Sequence, residues 1–318
     1  MGMSSINTNM AAMTALQSLQ QTSKEMLTTQ NRISTGLKVG SAADNAAYWS
    51  IATTMRSDND ALSTVQDALG LGKGTVNVAY TAMNSSIDLV SKIKTKLVAA
   101  AAPGVDRAKI QSEIGELQKQ LKGIADSASF SGENWLSVDS SATGFNATKS
   151  IISSFTRSAS GAVSVGSISV NTQSSVLFDA STATSATGGI LDAKRDSTGA
   201  IGGTAGASIY SMDISALTDS TTDQATLNSY IAGADAAFQE MTKAATSLGA
   251  NQQRIDLQTD FISALRDSIT SGISQLVDAD MNQESTRLQA LQVKQQLGVQ
   301  ALSIANQSSQ NILSLFRG

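Results

Sequence analysis

The stretch AMTALQSLQQTSKEMLTTQNRISTGLK, residues 12–38, decides how the rest of the chain is read. Within it Ala12, Leu19, Met26 and Ile33 recur at every seventh position. That interval returns side chains to one line on a supercoiled helix pair. Leu16 and Leu37 stand on the companion positions, with Ser23 and Gln30 between them. The stretch therefore reads as a coiled-coil-like seam with polar interruptions. It breaks at Ser34-Thr35-Gly36-Leu37-Lys38-Val39-Gly40-Ser41, where two glycines and small polar residues disfavour continuous helix.

Working outward, helical pattern resumes near Ala42 and runs through Ile51, Met55, Leu62, Val65 and Leu69. Gly70, Gly72 and Gly74 weaken it, and Ile87, Val90, Ile93 and Leu97 carry it on. Pro103-Gly104 ends that helix, because proline lacks an N–H donor and glycine frees the backbone. Another helix follows with Ile110, Ile114, Leu117, Leu121 and Ile124. From about residue 137 to 220, Ser, Thr and Gly dominate and charge is sparse. Val163-Ser164-Val165-Gly166-Ser167-Ile168-Ser169-Val170 alternates like a half-buried strand, and Gly188-Gly189 and Gly202-Gly203 mark turns. From about Asp223 the helical pattern returns, with a stripe running from Leu248 and Ile255 through Ile273, Val277, Leu288 and Leu291. The fold class expected is mainly α: long antiparallel helical or coiled-coil arms from both termini, and a small β-rich central insertion.

Composition narrows the chemistry. The 318 residues include no cysteine, no histidine and one proline. That removes disulfides, thiolate nucleophiles and the usual general base near neutral pH. The net charge of −4 argues against nucleic acid as a partner. Gly70-Leu71-Gly72-Lys73-Gly74-Thr75 superficially resembles a phosphate loop, but Gly74 separates Lys73 from Thr75. Asp278, Asp280 and Glu284 form an acidic cluster, read as a solvated face or as partners of Arg287 rather than a metal site. Asn146-Ala147-Thr148 fits the glycosylation pattern, which arises often by chance. No catalytic, cofactor or metal residue is assigned, and an enzyme is not expected. The first residues do not form a secretory signal, and no apolar run approaches the roughly 20 residues of a membrane span. Membrane insertion is not expected, and the N-terminus alone would place the protein in the cytoplasm.

The most informative feature is where charge is missing. Residues 1–23 and 295–316 contain no Asp, Glu, Lys or Arg. An exposed helix normally carries charge on its outer face. Uncharged surfaces of this kind are inexpensive to bury against copies of themselves, since no ion must be desolvated. The candidate self-assembly residues are Ile6, Met13, Leu16, Leu19, Met26 and Ile33 at one end. At the other they are Leu297, Ala301, Ile304, Ile312, Leu315 and Phe316. Ordering about forty terminal residues costs about 1–2 kcal/mol each in backbone entropy, so the ends are expected to be frayed before assembly and helical after it.

Several motifs together resemble bacterial flagellin. They are Ile6-Asn7-Thr8-Asn9; Arg32-Ile33-Ser34-Thr35-Gly36-Leu37-Lys38 with Ser41-Ala42-Ala43-Asp44-Asn45-Ala46-Ala47; and Ala305-Asn306-Gln307 leading to Asn311-Ile312-Leu313-Ser314-Leu315-Phe316-Arg317. The resemblance covers both helical arms and leaves out the middle. Asn45, Tyr48-Trp49 and Ser57-Asp58-Asn59 depart from the commonest pattern and are similar to α-proteobacterial flagellins that build rigid complex filaments. Ile87-Asp88-Leu89-Val90-Ser91-Lys92-Ile93-Lys94 lacks the Arg- and Glu-containing pattern read by the animal innate flagellin receptor, so weak recognition is expected.

The resemblance implies a secreted structural subunit of a helical polymer, the extracellular flagellar filament, serving motility. It implies an inner coiled coil of residues 1–43 with 279–318, a helical bundle of 44–136 with 222–278, and an outer domain of 137–221. Gly36 and Gly40 would be the spoke or hinge between the inner layers. The partners implied are further copies of the chain, alone or with other flagellins, an export chaperone, the type III export apparatus, and hook-associated and cap proteins. Export by that route needs no cleaved signal peptide, which reconciles the N-terminus with an extracellular location. A hook–filament junction protein with flagellin-like ends is the alternative.

Overall fold

The structure, a computed structural model, describes residues 9–181, 188–202 and 207–315, with side chains as far as residue 308 in the last segment. Ile6 and Phe316, among the candidate residues, lie outside the described residues, as do the side chains of Ile312 and Leu315. Helix α1 spans Met10–Thr35. The Asn9 side chain opens it by accepting the Ala12 N–H at 3.0 Å, occupying one of the free donors of the first turn. Gly36 closes it in the left-handed region (φ 74°), and its N–H reaches Arg32 O at 2.8 Å.

Helix α2, Ala46–Ala100, is uninterrupted through Gly70, Gly72 and Gly74. The expected weakening there does not become a break. Gly72 and Gly74 instead give room to neighbours: a Cβ on Gly72 would lie 2.5 Å from Ile151 Cγ2, and one on Gly74 2.6 Å from Phe130 Cζ. The helix ends just before the Pro103-Gly104 turn, as the proline requires. Helix α3 follows, Arg107–Ser127, with Ile114, Leu121 and Ala125 on its buried face. Helices α4, Thr221–Val277, and α5, Met281–Leu315, complete the helical part.

Between α3 and α4 the strands are short and paired two by two. β1 (Ser129–Phe130) and β2 (Glu133–Asn134) form an antiparallel pair. β3 (Ser137–Val138) runs parallel to β6 (Phe178–Asp179). The largest hairpin joins β4, Thr148–Arg157, to β5, Val163–Asn171, with an irregularity between Ile152 and Ser154. Its inner face carries Ile151, Ile168 and Val170, while Val163 and Val165 are exposed, so the alternation expected over 163–170 is half-buried only toward its C-terminal end.

The chain divides into two compact units, residues 1–60 with 266–318 and residues 61–265, and α2 and α4 contribute to both. In the second unit Leu69, Met83, Ile93 and Leu97 of α2 are fully buried, as are Ile114 and Leu121 of α3. From α4, Leu227, Met241, Leu248 and Ile255 are buried too. Polar side chains tie the loops down: Gln118 donates to the carbonyls of Ile209 and Met212 at 3.0 and 3.1 Å, and buried Arg195 donates to those of Gly199 and Ile190 and pairs with Glu240. The first unit has a smaller core of Val39, Ala52, Ile273 and Val277. Among the described residues no helix is long and apolar enough to cross a membrane.

Candidate assembly surface

Helices α1 and α5 run antiparallel. Asn9 Nδ2 donates to Ala305 O at 3.0 Å near one end, and Arg32 pairs with Glu284 at 3.2 Å near the other. Between them a Cβ on Gly298 would lie 3.1 Å from Leu19 Cδ1, so the glycine lets the leucine come close. Along α1 the partly or fully buried positions include Ala12, Ala15, Leu19, Thr22, Met26, Thr29 and Ile33. Along α5 they are Glu284, Leu288, Leu291, Gln295, Gly298, Leu302 and Ala305. Steps of three and four alternate in both, the spacing of a coiled-coil seam.

The residues at every seventh position read from sequence, Ala12, Leu19, Met26 and Ile33, lie on this seam. The companion positions do not fall where expected. Ala15, Thr22 and Thr29 take these positions; Leu16 and Gln30 are exposed, and Ser23 is half-buried beside Thr22. Thr22 can occupy an inner position because its hydroxyl donates back to Ser18 O at 2.9 Å, leaving no unpaired donor. The seam alternates large apolar side chains, Leu19, Met26, Ile33, Leu288, Leu291 and Leu302, with alanine, threonine, glutamine and glycine, which let the two helices come close.

Other large apolar side chains point outward. Met13 is 57% exposed and Leu16 45%; on α5 Leu297 is 58% and Ile304 68% exposed, and Ala301 is exposed as well. Met10 and Leu27 add to the outer surface of α1, and Val293 and Val299 to that of α5. Met10, Met13, Leu16, Gln17 and Gln20 line a shallow hollow of about 270 Å³. Each terminal helix thus has two apolar stripes, one used within the chain and one left open in segments almost without charge. The ends, expected to be frayed before assembly, are helical here because each supplies the seam partner that a lone helix lacks.

The segment after α1 is held along its length. Lys38 N and Val39 N donate to Val277 O at 2.8 and 3.3 Å, and Ala279 N donates to Gly36 O at 2.8 Å. Asp44 accepts from the N–H groups of Gly40 and Ser41 and from the Ser41 hydroxyl. Those bonds, from the Ser41 side chain first, hold the Asp44 carboxyl below the usual carboxylate range. The acidic cluster divides among three tasks. Asp278 bridges to Leu37 through the backbone, Asp280 caps α5 by accepting the N–H of Asn282 at 2.9 Å, and Glu284 pairs with Arg32 rather than Arg287. No group of three metal-ligating side chains occurs among the described residues.

Two ends folded into one antiparallel coil, each with a second uncharged stripe left open, define a polymer-forming structural protein. Residues 6–141 match the bacterial flagellin N-terminal helical region, and residues 231–316 the bacterial flagellin C-terminal helical region. Flagellin C of Rhizobium meliloti (strain 1021) is 50% identical over 329 residues, and Flagellin A of that strain 45% over 401. The flagellin of Brucella melitensis biotype 1 is 44% identical over 317 residues. Each alignment covers 99% of this chain and 100% of the relative. The chain belongs to the bacterial flagellin family. It is a structural subunit of the flagellar filament, similar to α-proteobacterial members, and nothing found favours a junction protein.

Proposed function

We propose that the subunit polymerises through the outward stripes of its two terminal helices, with Met13, Leu16, Leu297, Ala301 and Ile304 as contact residues. The observation that carries this reading is the exposure of these side chains on helices whose termini are almost free of charge. Burying them in a neighbouring copy removes apolar surface from water without desolvating an ion. Contacts between unlike stripes repeat without closing and so generate a helical polymer. Leu19, Met26 and Ile33 act differently, holding α1 on α5 so that both outer stripes are presented. Ile6, Ile312, Leu315 and Phe316 would extend the same surface.

In this reading residues 1–43 with 279–318 make the inner coiled coil, 44–136 with 222–278 the bundle layer and 137–221 the outer domain. Gly36 and Gly40 flank the spoke between layers. Export would proceed through the type III apparatus with a chaperone on the C-terminal end, and hook-associated and cap proteins would bound the filament. The similarity to α-proteobacterial flagellins supports a complex-type filament, and the sequence of residues 87–94 supports weak recognition by the animal flagellin receptor.

The test is seeded polymerisation followed by electron microscopy. Leu297→Lys and Ile304→Lys should each yield monomers of unchanged helicity that add to no filament seed. Filaments of normal length and number from both variants would overturn the assignment.

A further inference from the structure

Met10 and Met13 lie on one outward face of α1, three residues apart, and are 70% and 57% exposed. Met83, Met212 and Met241 are buried, so the thioethers of the chain differ sharply in access. Met281 is also exposed, at 43%, but only Met10 and Met13 among the described methionines border the hollow lined by Leu16, Gln17 and Gln20. Their surroundings are also chemically quiet, since residues 1–23 carry no charge. A thioether there behaves as a flexible apolar group suited to packing against a second copy. A sulfoxide would be a polar, chiral group with a strong acceptor oxygen.

We propose that Met10 and Met13 form an oxidation site at which a hydroperoxide converts the monomer to a form that cannot enter the polymer. In the step the thioether sulfur attacks the terminal peroxide oxygen and forms the S–O bond. The O–O bond breaks, and the departing oxygen takes a proton and leaves as water or an alcohol. Sulfur is oxidised by two electrons and the peroxide is reduced by two. The product places a polar acceptor on the outer stripe; Gln17 and Gln20 border it, but packing against apolar side chains such as Leu297 and Ile304 of a second copy would replace the water around it. The reaction is reversible by methionine sulfoxide reductase, which makes the block a state rather than damage. The inference rests on the outer stripe being the polymer contact, and it adds a time order: oxidation acts before assembly, because packing shields the sulfur atoms.

The test treats purified monomer with hydrogen peroxide and follows sulfoxides by mass spectrometry and polymerisation by seeded growth. Sulfoxide should appear at Met10 and Met13 before Met83 or Met241. Growth should fall roughly tenfold for each sulfoxide, the order expected when a buried acceptor is left unpaired. Reductase treatment should restore it, and preformed filaments given the same peroxide should keep Met10 and Met13 reduced. In a Met10→Leu, Met13→Leu chain, treated and untreated samples should grow at one rate, whatever that rate is. Undiminished growth of monomer carrying both sulfoxides, or a loss that reductase does not reverse, would overturn the inference. If Leu297→Lys still blocks growth in that case, the polymer contact stands and only the oxidation site fails. If Leu297→Lys grows normally, the contact itself is wrong.

Discussion

The bundle around Leu97 and the coil around Leu19 are both built from long helices, yet they use hydrophobic residues in opposite ways. In the bundle, Leu69, Met83, Ile93 and Leu97 are withdrawn from water, while Leu257 and Phe261, one turn apart on α4, stay exposed. In the coil, alanine, threonine, glutamine and glycine fill much of the seam, and Met13, Leu16, Leu297 and Ile304 remain in water. One region completes its core within the chain. The other completes enough to hold two helices together and leaves several large side chains exposed in segments almost without charge. In the proposed reading, that low charge marks the surface a neighbouring copy covers.

The sharpest way to break that comparison is to shorten one leucine in each region. Leu97 is fully buried, so Leu97→Ala should cost about 3 kcal/mol through lost transfer energy and the cavity left behind. Leu297→Ala should change monomer stability by no more than about 0.5 kcal/mol, the range of ordinary surface substitutions. Thermal or denaturant unfolding of the monomer measures both. A loss of several kcal/mol at Leu297 would mean that the outer stripe is already buried before assembly.

Much of this division was legible in the sequence, though not all for the reason first supposed. Ala12, Leu19, Met26 and Ile33 reveal the coil because a seven-residue interval survives weak side chains. Leu16 misleads, because pattern reading sends the larger apolar residue inward. Here two stripes compete for that role, and Thr22 and Thr29 take the inner one. The outer surface was legible from missing charge, a property of composition that does not depend on register. The loop ties were not legible. Gln118 reaches the carbonyls of Ile209 and Met212 and Arg195 reaches the Glu240 carboxylate, all far away in sequence, and no local spacing announces such contacts. The glycines of α2 were visible, but the purpose of Gly72 and Gly74 lies in Ile151 of β4 and Phe130 of β1, which pack against them.

Those glycines supply a second, somewhat smaller test, confined to the bundle. Gly70 has open space around it, whereas a Cβ on Gly72 would meet three atoms of Ile151 within 3.0 Å. Gly70→Ala should stabilise the monomer by about 0.5–1 kcal/mol through helix propensity alone. Gly72→Ala should lose that gain and cost about 1–3 kcal/mol by forcing Ile151 aside. Equal shifts at the two positions would mean that the hairpin yields freely, and that the bundle side of the comparison is looser than its burial implies.

The smallest effect is expected at the segment between α1 and α2, where two glycines are not equivalent. Gly36 sits at φ 74°, a conformation that costs an L side chain about 1 kcal/mol whatever the room around it. Its N–H and carbonyl are both engaged, to Arg32 and from Ala279, so the backbone has little freedom to relax. Gly40 is not left-handed, and a Cβ there would meet only Asp44 Oδ2, at 3.8 Å. Gly36→Ala should therefore lower monomer stability by about 1 kcal/mol. Gly40→Ala should leave it unchanged or raise it by about 0.5 kcal/mol, because alanine narrows the unfolded ensemble without straining the folded one. Thermal unfolding of the two variants side by side makes the measurement. A reversed order would move the point of conformational demand to Gly40 and make the Asp44 turn, not the end of α1, the more constrained part of this segment.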